Sequence, residues 1–565
     1  MRRGIFPQLT ARPIYETTVI GIIPKANERG VIEELFQLFK TPWELYRADG
    51  SYDVVLVSGE APKEVAAPLM LVFGSDVRRS DREAGVVPVA RRQNARLDWR
   101  GIQIPLYGQL LTFEAGGHPT LCTTTASEVA VVEFDAGNSR VIRLGYDLFD
   151  EIAFLLTAGQ PVENAAIPTL DLHIGLLRDL IVESGISLIE IAPAPAGYDF
   201  AVCLTHDIDF VGIRRHKFDH TMCGFLYRAT AGAALNFVQG KSSFSRLMQC
   251  WKAAATLPFV HLGLAKDFWM PFEWYLEVEK GLSPTYYFIP FKHRAGDRVM
   301  RTDAARRASA YDIGDIPEWI TRLQAAGCEV GVHGIDAWNS VEKGRDELNR
   351  VAQFSGDKEM GIRIHWLMRD EKTCGILEQA GYSYDSTSGY NEVPGYLNGT
   401  TQVFRPPGAK TLLELPMHIQ DGVLFFPGRL GLTDAEAAKQ CDVFIANAKK
   451  LGGALTFIWH DRSHGPERFW GEFYAALVQK LKAGKTWFGQ ARQVVAWFRQ
   501  RREVSFKRAG GGIKICGTGQ RIVPPMKIRI QRADEIVELA WDGECDIEPM
   551  NTSCRTLAAE VCAAS

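Results

Sequence analysis

The segment Thr205-His206-Asp207-Ile208-Asp209 ends an apolar run with three side chains that can bind a metal or move a proton. An isolated Asp-x-Asp at a strand end commonly serves only to cap the next turn. Here a histidine adjoins the pair, and two carboxylates this close resist ionising together without a cation. One carboxylate on a metal ion and the other facing water meets that constraint. His333, in Glu329-Val-Gly-Val-His333-Gly-Ile-Asp336, and His365, in Arg363-Ile-His365-Trp366-Leu367, also close apolar runs. With one of the aspartates they would form a two-histidine, one-carboxylate set that leaves positions open for water and substrate. Zinc is the default divalent ion for such donors, with nickel, cobalt, manganese or iron as alternatives. His460 closes the run Ala454–His460, and Arg405 heads Arg405-Pro406-Pro407-Gly408.

These residues recur at the ends of strands that alternate with helices. Residues 201–207, 284–291, 328–334, 361–367, 382–388, 402–408 and 454–460 read as strands, with amphipathic helices such as 316–327, 370–381 and 434–450 between them. Seven such units predict an α/β fold with a closed or nearly closed (β/α) barrel over 198–505, whose catalytic groups sit at the C-terminal strand ends. A helical insertion rich in aromatic residues, 211–280, interrupts it. Ahead of the barrel, 1–165 reads as an open α/β, flavodoxin-like domain with strands at 17–23, 52–59 and 67–74 and a helix at 30–39. That domain is expected to be non-catalytic, because no cysteine stands at a strand-to-helix elbow (Cys122 lies in a Thr-rich segment) and no GxGxxG follows the first strand. A helical, Pro/Ala-rich linker over 166–197 and a small β-rich tail over 506–565 complete the expected layout. The last dozen residues are expected to be poorly ordered.

Taken in order, the motifs resemble those of the polysaccharide deacetylases, carbohydrate esterase family 4, which include the nodulation-type deacetylases. Thr205–Asp209 looks like that family's first motif, Arg405-Pro406-Pro407-Gly408 like its Arg-x-Pro-x-Gly motif, and Leu455–His460 like its closing motif. The resemblance spans roughly 195–500. It implies that Asp207 is the general base, Asp209 a metal ligand, Arg405 the residue that orients the base, and His460 the catalytic acid. One departure is plain: the family's second motif has two histidines four residues apart, but Ala337 stands four after His333. A variant branch with His-Asp-x-Asp openings pairs a single His-Gly with a downstream Arg-x-His-aromatic-Leu segment, which implies His333 and His365 as ligands, with Asp336 the alternative to His365. The family's segment that tunes the acid histidine is also missing, and His418 and Asp421 lie in the corresponding region.

The resemblance implies hydrolysis of the N-acetyl group of an amino-sugar polymer, oligosaccharide or glycolipid intermediate, releasing acetate. Trp366, Trp459, Tyr390 and Trp470 are candidates to stack on sugar faces. A metal-dependent amidohydrolase acting on a non-sugar amide, and a glycan-binding protein that has lost activity, are the competing readings. A net charge of −3 gives no electrostatic reason for a nucleic-acid partner. The 11 cysteines include no CxxC pair, as expected of reduced thiols. The N-terminus lacks a continuous apolar core, and no stretch is long and apolar enough to span a bilayer, so a cytoplasmic carbohydrate-active enzyme is expected.

Overall fold

The computed structural model describes residues 18–547, apart from 63–64, 115 and 510–511. The expectations for the extreme N-terminus and the last dozen residues fall outside that range. The described residues divide into two compact units, one built from 18–152, 172–192 and 499–547, the other from 153–171 and 193–498.

In the first unit, Ile20–Ile23 lies parallel to Trp43–Leu45 and Val54–Val57, and the parallel run continues through Leu69–Phe73 to Ser139–Leu144. Val129–Ala136 then pairs antiparallel with Ser139–Leu144, and the sheet continues as an antiparallel meander through 96–124. The result is a mixed sheet, more β-rich than a flavodoxin-like domain. The Ala/Pro-rich stretch expected to be linker is instead a strand, Leu188–Pro195, at the edge of a three-stranded sheet with Met526–Gln531 and Ile536–Trp541. Prolines 193 and 195 lack N–H donors, and an edge strand is where a sheet tolerates that.

The second unit is built on a curled, all-parallel sheet. We number its strands β1 (Phe200–Ile208), β2 (Thr285–Phe288), β3 (Glu329–Gly334), β4 (Gly361–Ile364), β5 (Tyr384–Asp385), β6 (Leu413–Glu414), β7 (Ile419–Gln420), β8 (Ala454–Ile458) and β9 (Thr486–Phe488). The order is β6-β5-β4-β3-β2-β1-β8-β7, with β9 also paired to β1. Among the described residues the sheet therefore has nine strands, not seven, and it curls without β6 and β7 pairing. The strand expected at 402–408 reduces to a single bridge, Phe404 to Glu414, because Pro406 and Pro407 cannot donate to a ladder.

Strand periodicity sorts the side chains. On β1, Phe200, Val202, Leu204 and Ile208 join the apolar core outside the sheet, as do Val330, Val332, Ile362 and Ile364 on β3 and β4. The alternate positions face the hollow: Thr205, Asp207 and Asp209, then His333, then Arg363 and His365. Glycines make room there. A Cβ on Gly331 would meet the Tyr287 ring at 2.7 Å, and one on Gly361 the Tyr384 ring at 1.8 Å. Beneath the site, Tyr287 and Tyr384 hydroxyls lie 3.1 Å apart, and Tyr384 and Thr285 each donate to Glu329 at 2.8 Å. The expected insertion is helical, with its longest helix at Phe244–His261. No helix among the described residues is long and apolar enough to cross a membrane.

Candidate active site

Asp209, His333 and His365 offer ligand atoms that all lie within 4.8 Å of one another. Asp209 Oδ1 is 3.2 Å from His333 Nε2 and 3.2 Å from His365 Nδ1, and the two imidazole nitrogens are 2.9 Å apart. Donors bound about 2.1 Å from one divalent ion sit roughly 3 Å from each other. The chemistry of the set also fits. His333 Nδ1 lies 2.9 Å from the Arg363 carbonyl, and donating there leaves Nε2 with its lone pair turned toward Asp209. Asp209 Oδ1 is buried and makes no hydrogen bond. Three electron-rich atoms converging in a buried place, one of them without a donor, call for a cation. Asp336, the alternative ligand, is engaged elsewhere: its carboxylate accepts from the Asp297 N–H at 3.0 Å and pairs with Lys343 at 3.1 Å.

The local backbone explains how the histidines arrive. A Cβ on Gly334 would strike the Ile362 and Ile364 side chains at 2.7 Å, so the residue after His333 has to be small. Glu347 then holds the turn, accepting from Ile335 N at 2.9 Å and Asp336 N at 2.7 Å. After His365 the chain bends through Trp366 (φ 66°) and Leu367 (φ 53°), left-handed conformations that cost energy for side chains of this size. The buried Arg307 guanidinium fastens that bend, donating to the Ile335 and His365 carbonyls at 2.9 Å each.

Asp207 faces the same hollow. Its Oδ1 accepts from Arg363 Nη1 at 2.8 Å, and its Oδ2 is 3.9 Å from His333 Nε2. Arg363 is itself fully buried, donating also to Thr205 Oγ1 at 2.8 Å and to the Ser386 carbonyl and hydroxyl at 2.9 Å. Burial alone would push the Asp207 carboxyl up. The Arg363 charge, then those of His333 and His460, outweigh it and hold the carboxyl below its ordinary range. The guanidinium on Asp207 thus comes from Arg363, where Arg405 was expected. Arg405 follows the bridge at Phe404 and is half-buried.

His460 Nδ1 lies 2.5 Å from Asp421 Oδ1, and the other Asp421 oxygen accepts from the His460 N–H at 2.8 Å and from the Ser463 hydroxyl. Burial opposes a charge on this imidazole. The Asp421 carboxylate, reinforced by Asp209 and Asp207, wins and pushes its pKa up to about 10. Asp461, next in sequence, accepts from the Asp209 N–H at 3.1 Å. His206 points away, its two nitrogens 2.8 Å from the Trp459 carbonyl and from Glu279, as the alternation along β1 requires.

Of the candidate stacking residues, Trp366 is 40% exposed, with its ring 5.9 Å from that of His365. Trp459 is fully buried against Phe473 and Tyr474, so the stacking role expected of it is corrected to a core role. Tyr390 is likewise buried, its hydroxyl donating to the Gln160 carbonyl at 2.6 Å. Trp470 stacks on Phe425.

No protein-family model and no curated protein matches the sequence. Several solved structures are similar to this chain, and among them are polysaccharide deacetylases and members of carbohydrate esterase family 4. A protein described as a polysaccharide deacetylase, from Mycobacterium smegmatis, is 19% identical with a TM-score of 0.32, over 57% of this chain and 99% of its own. Agd3, a carbohydrate deacetylase, is 10% identical with a TM-score of 0.33, over 94% of this chain and 99% of its own. The Xyl-CE4 domain of a multidomain xylanase from the hindgut metagenome of Trinervitermes trinervoides is 10% identical with a TM-score of 0.23, over 53% and 90%.

Proposed function

We infer that the protein is a divalent-metal-dependent hydrolase that removes an N-acetyl group from an amino-sugar carbohydrate. The observation that carries the reading is one hollow shared by three parts: a donor triad, the Asp207 carboxylate held by Arg363 beside it, and His460 held by Asp421. Asp209, His333 and His365 would hold the ion, with zinc the default. When bound, such an ion supplies Lewis acidity toward an amide carbonyl and makes water easier to deprotonate.

The chain's own groups would do the rest. Asp207, kept ionised and aimed by Arg363, takes a proton from the water as its oxygen bonds to the acetyl carbon. His460, kept protonated by Asp421, gives its proton to the sugar nitrogen as the C–N bond breaks, leaving acetate and a free amine. Trp366, open at the rim beside His365, offers an aromatic face to a sugar ring.

The test is acetate release by metal-reconstituted protein from N-acetylated oligosaccharides and from simple acetamides. Turnover of the oligosaccharides alone supports the reading. Turnover of small amides alone would replace it with the non-sugar amidohydrolase, and a chain that holds no stoichiometric metal would replace it with a binding protein.

A further inference from the structure

The helical insertion of the second unit has apolar residues on both of its faces. A helical run from His220 to Val238, with a wide turn at Arg228–Gly232, reverses at 239–243 and returns as the helix Phe244–His261. The inner face is conventional: Phe225, Ala229 and Ala233 pack on Leu247, Leu257 and Val260. The outer face is not. Phe244, Met248, Trp251, Ala255, Phe259 and Leu262 are all exposed, at the four- and three-residue spacing of a single helical stripe. On the facing helix Tyr227, Ala231, Leu235 and Val238 form a second exposed stripe with the same spacing. Between the stripes runs a groove of about 530 Å³ lined by Leu226, Ala234, Trp251 and Ala255 among others. The exposure is high, reaching 81% at Val238, 72% at Leu262 and 75% at Leu264. Scattered surface apolar residues need no explanation, but two adjoining stripes with a groove between them do.

Charge indicates what covers this face. From Lys217 to Lys266 the chain has Lys217, Arg228, Lys241, Arg246, Lys252 and Lys266 against one acidic residue, Asp219, although the whole protein carries −3. Arg228, Arg246 and Lys266 are paired with Glu467, Glu472 and Glu273. Lys241 sits in the turn between the helices, and Lys252 follows Trp251 on the exposed side. A second copy of this face would bring those lysines against one another. An anionic lipid surface would instead receive both the aromatic and aliphatic stripes and the lysine ammonium groups, which is the pattern of helices that lie in a membrane interface without crossing it.

We propose that the hairpin 218–264 is a membrane-surface docking element selective for anionic lipid. The full-length protein is floated with vesicles of phosphatidylcholine alone or mixed with phosphatidylglycerol, and its mass is measured by light scattering without vesicles. Binding should be at least roughly tenfold stronger to the mixed vesicles and should weaken as salt is raised. Val238→Asp with Leu262→Asp should abolish it, and Lys241→Glu with Lys252→Glu should erase the lipid preference, each with an unchanged circular dichroism spectrum. Absence of binding to anionic vesicles overturns the proposal. So does a concentration-dependent dimer that the Val238→Asp, Leu262→Asp pair dissociates, since the face would then belong to a second copy.

Discussion

Arg363 reaches Asp207 across the hollow of the sheet, at 2.8 Å, from a strand separated from β1 by β2 and β3. It stands two residues before His365, so alternation along the strand turns both side chains inward. One short segment thereby supplies a donor to the triad and the counter-charge to the neighbouring carboxylate. In the proposed reaction the pairing would have a consequence: the carboxylate that would accept a proton is held below its ordinary range inside a buried site by a cation that does not itself titrate in the working range.

Arg363→Lys should keep a positive charge but lose the planar fork that also grips Thr205 and Ser386. We expect kcat to fall about a hundredfold, in line with loss of a well-aimed acid–base group. The Asp207 carboxyl, less well compensated, should titrate higher, so the acidic limb of the kcat/KM profile should move to higher pH. Metal content should be unchanged. A variant that lost its metal would show instead that Arg363 acts by holding in place the strand whose carbonyl orients His333.

Asp207→Asn should abolish turnover and leave a full complement of metal, because the triad does not include it. Asp209→Ala and His365→Ala should each lower metal affinity at least roughly tenfold, read by isothermal titration of the apoprotein. Full metal occupancy in His365→Ala would make Asp336, the alternative, the third ligand.

Much of this site was legible in the sequence because strand periodicity and strand ends are local features. Asp207, Asp209, His333 and His365 are all found by asking which polar groups close apolar runs. The strand expected at 402–408 is cut to one bridge because Pro406 and Pro407 cannot donate to a ladder. Arg363 is legible through its phase, since it stands two residues before His365 and shares its inward face. The pairing of Asp421 with His460 is not legible, because a contact across 39 residues has no local signature. Trp459 and Tyr390 were assigned to the cleft by residue type, whereas burial, which decides the matter, depends on helices elsewhere in the chain. The outer face of the insertion was visible only as aromatic richness until two helices placed its stripes side by side.

Asp421→Asn should strip His460 of the main influence that offsets its burial. The imidazole pKa, pushed up to about 10 in the intact site, should fall. An acid is useful only while protonated, and protonation is lost as pH rises through the pKa. The alkaline limb should therefore move to lower pH in the variant, with kcat at pH 8 down about a hundredfold. Unchanged limbs with reduced kcat would indicate that Asp421 merely fixes the loop through the His460 N–H and Ser463.

Glu347 provides a stability test independent of turnover. Burial pushes its carboxyl up from 4.5 to about 7, despite the backbone N–H groups of Asp336 and Ile335 that lower it. Between those values the folded chain holds a proton that the unfolded chain releases. Stability should therefore fall as pH rises from 4.5 to about 7, by at most about 3 to 4 kcal/mol at about 1.4 kcal/mol per pH unit. Glu347→Gln should flatten that slope in urea titrations, while Glu347→Ala should cost about 2 kcal/mol more at pH 5 by leaving two buried N–H groups without an acceptor.

Trp366 and Trp459 offer a contrast between an exposed ring and a buried one. Trp366 is open at the rim beside the triad, on a left-handed bend that Arg307 fastens through the His365 carbonyl. Stacking on a sugar face is worth on the order of 1 kcal/mol, so Trp366→Ala should raise KM for N-acetylated oligosaccharides about fivefold to tenfold. It should leave kcat/KM for a simple acetamide, which has no ring to stack, nearly unchanged. Trp459→Phe, in the core against Phe473 and Tyr474, should instead lower the melting temperature and leave KM alone. Equal losses for both substrates in Trp366→Ala would show that the bend at 365–367 had moved His365, which metal titration of the same variant would detect as weakened binding.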